Sequence, residues 1–229
     1  ISAELINTAD NTRIWADVYN RSVSDAMKVP EEIVQAISET LQLKLSGAQQ
    51  QKVSKQLTQN PKAYQSYVNG VFFRRKNGAE NIRKALEYQK RAVALDANFA
   101  RAYTELSIDF AALVEIAELS PKEGIPQARA AAEKALALDE TLAEAHYTLA
   151  RVRNFEFDWK EAEDGFQKAL ELNPNLAAAH TLFADFLSQL GRFDEAVREI
   201  RLAQELDPLR TGLVGNEGSI FYLARKYDE

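Results

Sequence analysis

The chain of 229 residues contains no cysteine. Disulfides, thiol nucleophiles and cysteine-bound metals are excluded, and either redox compartment stays open. No apolar run approaches the roughly 20 residues that a membrane-crossing helix needs. Positive charge is in short supply. Lys and Arg number 28 against 34 Asp and Glu, giving a net charge of -6 and a pI near 5.2. That balance argues against bulk attraction to nucleic acid. There is no glycine-rich phosphate loop, no Gly-x-Ser-x-Gly elbow, and neither the His-Arg-Asp nor the Asp-Phe-Gly signature of a kinase. The many carboxylates fall at solvent-like helical phases. These residues describe no enzyme active site, no cofactor site and no metal site. Apolar residues at 46% and charged residues at 27% are ordinary globular composition, so the chain is not read as disordered. It begins at Ile1 without methionine or a signal-like segment and ends at Tyr227-Asp228-Glu229 inside a repeat. The expectation is a portion of a longer protein.

The first 60 residues are expected to form a partial α/β segment. Ile1, Ala3 and Leu5 alternate with Ser2, Glu4 and Ile6, and Ile14, Ala16 and Val18 alternate with Trp15, Asp17 and Tyr19. A turn-like Thr8–Thr12 lies between, which predicts a β-hairpin with a five-residue loop. A helix is expected next. Pro30 suits its first turn, Glu31 and Glu32 suit its positive end, and Ile33, Ile37, Leu41 and Leu45 share a face before Ser46-Gly47 ends it. Residues 48–59 are polar and helix-compatible, and Asn60-Pro61 breaks them.

From about Ala63 the chain repeats itself. Placing residues 143–176 above 177–210 superimposes Ala150 on Ala184, Ala162 on Ala196, Ala169 on Ala203, Leu172 on Leu206 and Pro174 on Pro208. A fixed 34-residue period with small residues at fixed phases means stacked helix pairs. The small residues let helices approach, and Phe166, Ile200, Leu172 and Leu206 fill the space between them. Asp194 is placed as the N-cap of a second helix. The units are about 63–99, 100–142, 143–176 and 177–210, with a partial fifth at 211–229. The first has Gly70, Ala85 and Ala92 in phase and a few extra residues near 76–81. The second has Leu106, Ser107, Ala128 and Ala135 in phase, with a longer helix connection around Ser120–Pro126. Charge is uneven: residues 61–99 balance to +5 and residues 100–142 to -4. A solenoid basic at its first unit and acidic at its second follows.

In these residues the chain resembles the tetratricopeptide repeat (TPR) family over 63–229. The resemblance implies a mainly α fold, a right-handed superhelical α-solenoid, that scaffolds protein binding. The N-terminal stretch, with its "RIWADVYNR" at residues 13–21, resembles the end of a TolB-amino-terminal-like domain. That resemblance implies the sensory or regulatory C-terminal region of a bacterial signalling protein. Its upstream part would be a Ser/Thr kinase, a nucleotide cyclase or a winged-helix DNA-binding regulator, often with a membrane helix between. The segment itself would then lie outside the cytoplasmic membrane, or otherwise in the cytoplasm.

By phase, the first helices of the units offer Arg101, Thr104 and Ile108, then Glu144, Tyr147, Arg151, Asn154 and Phe155, then Ala178, Thr181, Asp185, Ser188 and Gln189 to the concave groove. Tyr147, Arg151 and Phe155 lie at i, i+4 and i+8, so they share one side of a helix. An Arg between two aromatics suits a peptide or helix partner, and packing against the next helix is the other reading. The chaperone-tail binders of the family use Lys and Asn where this chain has Tyr67 and Val71. His146 and His180 are one period apart and are expected to pack rather than share a metal, since successive units stand about 10 Å apart. Arg74-Arg75-Lys76 beside Phe72 and Phe73 is read as a solvated helix end, with nucleic-acid or anionic-lipid contact as the alternative. Three functional readings remain. They are an interaction module for a protein or peptide partner, a self-assembling homo-oligomer, and part of an enzyme or DNA-binding regulator whose activity lies elsewhere.

Overall fold

The computed structural model describes residues 2–7, 10, 12–20, 28–40, 57–76, 78–208 and 212–225. Among them are two strands and ten helices. Strands β1 (Ser2–Asn7) and β2 (Thr12–Val18) form an antiparallel pair in which Leu5 faces Trp15 and Ile6 faces Arg13. The register shift between Leu5 and Ile6 skips Ile14. The second strand starts at Thr12, one residue earlier than the alternation suggests. Leu5 and Trp15 are partly covered, whereas Ile6, Ile14 and Val18 are exposed. Helix α1 (Val29–Thr40) takes Pro30 in its first turn, where a missing N–H costs nothing. Leu41, Leu45, the Ser46-Gly47 stop and residues 48–56 lie outside the described residues. Leu57–Asn60 are not helical.

The remaining helices come in pairs: α2 (Pro61–Arg74) with α3 (Ala79–Leu95), α4 (Ala100–Glu115) with α5 (Pro121–Leu138), α6 (Ala143–Phe155) with α7 (Trp159–Leu172), and α8 (Ala177–Gln189) with α9 (Phe193–Leu206). Helix α10 (Gly212–Leu223) packs on α8 and α9. Asn60 does more than end a segment. Its side chain accepts from the Lys62 and Ala63 amides and donates to the Leu95 carbonyl at 2.8 Å, tying the start of α2 to the end of α3.

The small residues sit where helices meet. Ala85, Ala128, Ala162, Ala169, Ala196 and Ala203 are fully buried, and Phe166 and Ile200 fill the core beside them. At Gly70 an added Cβ would stand 2.2 Å from Gln89 Nε2. That buried amide donates to the Tyr67 carbonyl, so α2 and α3 are locked by a side chain as well as by apolar contact. Leu206 departs from the expected filling role: it is 38% exposed, and Leu172 is half-buried.

Two further expectations change. The extra residues of the second unit do not form a long loop. They lengthen α4 and α5, which are joined by only Ile116–Ser120. Pro121 occupies the first helical position, and Pro126 sits inside α5 near its start, removing a single backbone donor. Asp194 is not a cap either. Arg192 takes that position and Asp194 lies in the first turn of α9. Arg192 donates to both Glu195 oxygens at 2.7 Å and to Glu163 at 2.6 Å, bridging α9 to α7.

The turns inside the last three pairs share one device. Ala117, Phe157 and Gly191 adopt positive φ, and the amides of Glu118, Asp158 and Arg192 return to carbonyls of Leu113, Arg153 and Leu187. Between pairs, Asp96, Asp139 and Asn173 each end a helix and accept from the amide two residues on.

Candidate functional site

Helices α2, α4, α6 and α8 contact one another in series, so the first helix of each pair lies beside the first helix of the next. All of the candidate groove residues lie on these helices, and their side chains divide into two sets. Thr104, Tyr147 and Thr181 are 2%, 6% and 5% exposed. The threonine hydroxyls donate to the carbonyls of Ala100 and Ala177 in their own helices. Tyr147 belongs to the large core cluster with Phe166 and Phe183. Burial pushes its phenol far above the usual range, and the nearby Glu105 adds to that shift. These three residues support the surface and do not form it.

The other set is polar and ranges from the 40% exposed side chain of Arg101 to the 12% exposed side chain of Arg151. Arg101 pairs with Glu144 at 3.1 Å, joining α4 to α6. Arg151 donates through Nε to Glu115 Oε1 at 3.1 Å and through Nη2 to Oε2 at 2.5 Å, a two-pronged bond between the same helices. Asn154 donates to Gln189 at 3.1 Å, joining α6 to α8. These polar rungs cross from one first helix to the next. Phe155 is half-buried against the α4–α5 core, so the side chains of Tyr147, Arg151 and Phe155 do not form one exposed stripe. Asp185 is half-buried on α8, as is Ala178, while Ser188 is buried and Gln189 exposed.

Sequence reasoning missed a buried charged cluster on the same series of helices. Arg74, read as part of a solvated helix end, is an ion-pair partner of Glu105 and lies 3.6 Å from Asp109. Neither Asp109 oxygen accepts a hydrogen bond, and the side chain is fully buried. Burial, reinforced by Glu105 and opposed by Arg74, pushes the Asp109 carboxyl up to about 8. Tyr67, a neighbour in this network, is pushed up to about 12, again chiefly by burial. Arg75 and Lys76 are exposed, with Lys76 Nζ 4.3 Å from the Phe72 ring centre. The signal for the cluster was the charge reversal between the first two units. Arg74 with Glu105 and Arg83 with Glu118 pair across that boundary, so the opposite charges of the two units are partly spent on each other.

The histidines each bond a carbonyl six residues earlier: His146 Nε2 to Glu140 O at 2.8 Å and His180 Nε2 to Pro174 O at 2.9 Å. His180 Nδ1 also meets Glu199 at 2.6 Å. That carboxylate holds the imidazole above its ordinary pKa against the opposing effect of burial. Among the described residues, no group of three His, Cys, Asp or Glu is placed to hold a metal ion. Among the same residues, no helix is long and apolar enough to cross a membrane.

Residues 156–211 match the tetratricopeptide repeat family. A thermophilic TPR protein of Thermus thermophilus superimposes with a TM-score of 0.61 at 20% identity, covering 88% of this chain and 100% of that one. A putative adenylate cyclase 3 of Rhizobium meliloti (strain 1021) is 28% identical over 166 residues, which are 71% of this chain. The chain spans 28% of that protein's length. Paired helices, alanine crossings on a 34-residue period and the TM-score lead to one fold. The paired helices from Pro61 onward have the fold of a tetratricopeptide-repeat solenoid.

Proposed function

We propose that the solenoid, taken as residues 61–229, is a protein-interaction module that receives a peptide or helix along the face shared by α4, α6 and α8. The observation that carries this reading is the ladder of polar rungs, Arg101–Glu144, Arg151–Glu115 and Asn154–Gln189. They run between successive first helices and present charged and amide groups on one continuous face. A partner side chain can exchange into the more exposed Arg101–Glu144 pair at little cost, because surface ion pairs are each worth about 0–1 kcal/mol. Arg101, Arg151, Phe155 and Asp185 make the contacts, over a floor that includes Thr104, Tyr147 and Thr181. Residues 1–60 are the end of a TolB-amino-terminal-like α/β domain. The likeness to a putative adenylate cyclase supports a bacterial signalling protein as the parent, with catalysis outside these residues. The module then serves as its sensory or regulatory part, on the extracytoplasmic side where a membrane helix precedes it.

Peptide selection against the purified chain tests the reading. Selected peptides should lose binding to Arg101→Glu and Asp185→Lys variants and keep it with Lys160→Glu, a change at the exposed start of α7. Peptides indifferent to the first two changes would refute the assigned face. Self-assembly is the second reading, favoured by the exposed Ile6, Ile14 and Val18 on a two-stranded sheet. A mass that stays monomeric in light scattering at high concentration would reject it.

A further inference from the structure

Among the positions where the second helices of the two regular units differ, one leaves a bonding place open. In the α8–α9 pair, His180 is held at both nitrogens, by the Pro174 carbonyl and by the Glu199 carboxylate. One period earlier, His146 keeps the carbonyl bond, now to Glu140. The position equivalent to Glu199 is Gly165. An added Cβ there would stand 2.9 Å from the Ala150 Cβ, so α7 rides close against α6 and the chain supplies no carboxylate to the imidazole. His146 is half-buried where His180 is buried. Its Nδ1 meets no hydrogen-bond partner among the described residues. A recess of about 250 Å³ opens at this place, lined by His146, Gly165, Arg153, Lys168, Glu161 and Asp164 together with Leu149 and Ala150.

We infer that this recess is a binding notch for a carboxylate, which accepts from His146 Nδ1–H the bond that Glu199 accepts from His180. The filled unit is the template for the open one: same helix phase, same carbonyl anchor on Nε2, and a carboxylate in one unit where the other has a cavity. The anchor fixes the chemistry. With Nε2–H donating to Glu140 O, a neutral imidazole offers only a lone pair at Nδ1. A carboxylate acceptor therefore pairs with the imidazolium form, which donates from both nitrogens. Arg153 and Lys168 favour the anion, and Glu161 and Asp164 oppose it. Arg153 is ion-paired with Glu156 at 3.6 Å and Asp158 at 3.7 Å, and Lys168 donates to Glu171 at 3.0 Å, so a guest carboxylate shares both cations with these residues. Size suits a single acidic side chain, a C-terminal carboxylate or a small free acid.

The chain has two histidines, so the imidazole ¹H–¹⁵N spectrum of the unmodified protein holds two spin systems, and His180 is an internal control. Two probes are titrated at constant ionic strength: free glutarate, and a blocked pentapeptide with one central glutamate among alanines. Saturable movement of the His146 Nδ1 resonance, with His180 still, is the expected result. A response to both probes assigns the notch to small acids and side chains alike, and a response to the peptide alone assigns it to an acidic partner segment. No movement with either probe, or equal movement of both histidines, would overturn the inference. His146→Gln should abolish the peptide-induced shifts of the Ala150 and Leu149 amides, and their retention would count against the site.

Discussion

Replacing Asp109 by asparagine separates two accounts of the buried cluster. The aspartate is fully buried on α4. Its nearest cation, Arg74 Nη1, is 3.6 Å from Oδ1 and is also paired with Glu105. Two carboxylates share one guanidinium, and the more deeply buried one has no hydrogen-bond donor. Its carboxyl is therefore raised to about 8, against about 3.9 for an unfolded aspartate. The sign follows from proton counting. Between those values the folded chain holds a proton that the unfolded chain has lost, so stability falls as pH rises. It stops falling once pH passes the folded value. One linked proton gives a slope of about 1.4 kcal/mol per pH unit, or about 3 kcal/mol between pH 5 and pH 7. Asparagine keeps the shape and cannot ionise. Urea unfolding followed by far-UV circular dichroism at pH 5, 6, 7 and 8 should show the variant gaining on the wild type by that slope. Parallel profiles would refute the reasoning, because they would mean that Arg74 keeps Asp109 ionised throughout.

His180→Gln tests a second proton in the same manner. Both ring nitrogens donate, to Glu199 and Pro174, so the folded state favours imidazolium. A raised histidine stabilises fully below its unfolded value near 6.5 and loses that contribution as pH rises through the folded value. The wild-type advantage over the variant should therefore be present at pH 6 and shrink by pH 9, and a constant difference would contradict it. Phe157→Gly should raise the melting temperature, by about 1 kcal/mol of stability. Phe157 has φ 61 and is 78% exposed, and Gly191 makes the same turn one period later at φ 75. A lower melting temperature would show that the ring contributes more than the strained backbone costs.

The solenoid was legible because its main constraint is steric and local. Where two helices cross closely only a small side chain fits, so Ala162 and Ala196, or Ala169 and Ala203, had to recur with the period. The same logic identified the Gly70 position. The α4–α5 connection was not legible, because the proline-containing stretch looked like a loop by composition. Pro121 is ideal at a helix start, and Pro126 costs one hydrogen bond near it. The face of each first helix was legible, but not its depth. Phase puts Tyr147, Arg151 and Phe155 on one side of α6. It does not say that α4 brings Ile108 against the core containing Tyr147, or that Glu115 claims Arg151. Those partners lie 36 or more residues away and depend on how one pair is set against the next.

The charge pattern shows where sequence reading could have gone further. A +5 unit followed by a -4 unit reads at first as a dipole available to a partner. In a one-dimensional stack, each unit's main neighbour is the next unit, so opposite charges placed in succession meet first at that boundary. Arg74 with Glu105 and Arg83 with Glu118 do so, and Arg101 with Glu144 continues the pattern one unit on. Arg192 and Glu163 repeat it between second helices. Charge alternation between units of a solenoid is thus evidence first about how the units are joined. On the proposed reading, a partner docked across these rungs competes with the pairs, so its charges are expected in the same order, acidic opposite Arg101 and Arg151 and basic opposite Glu144 and Glu115.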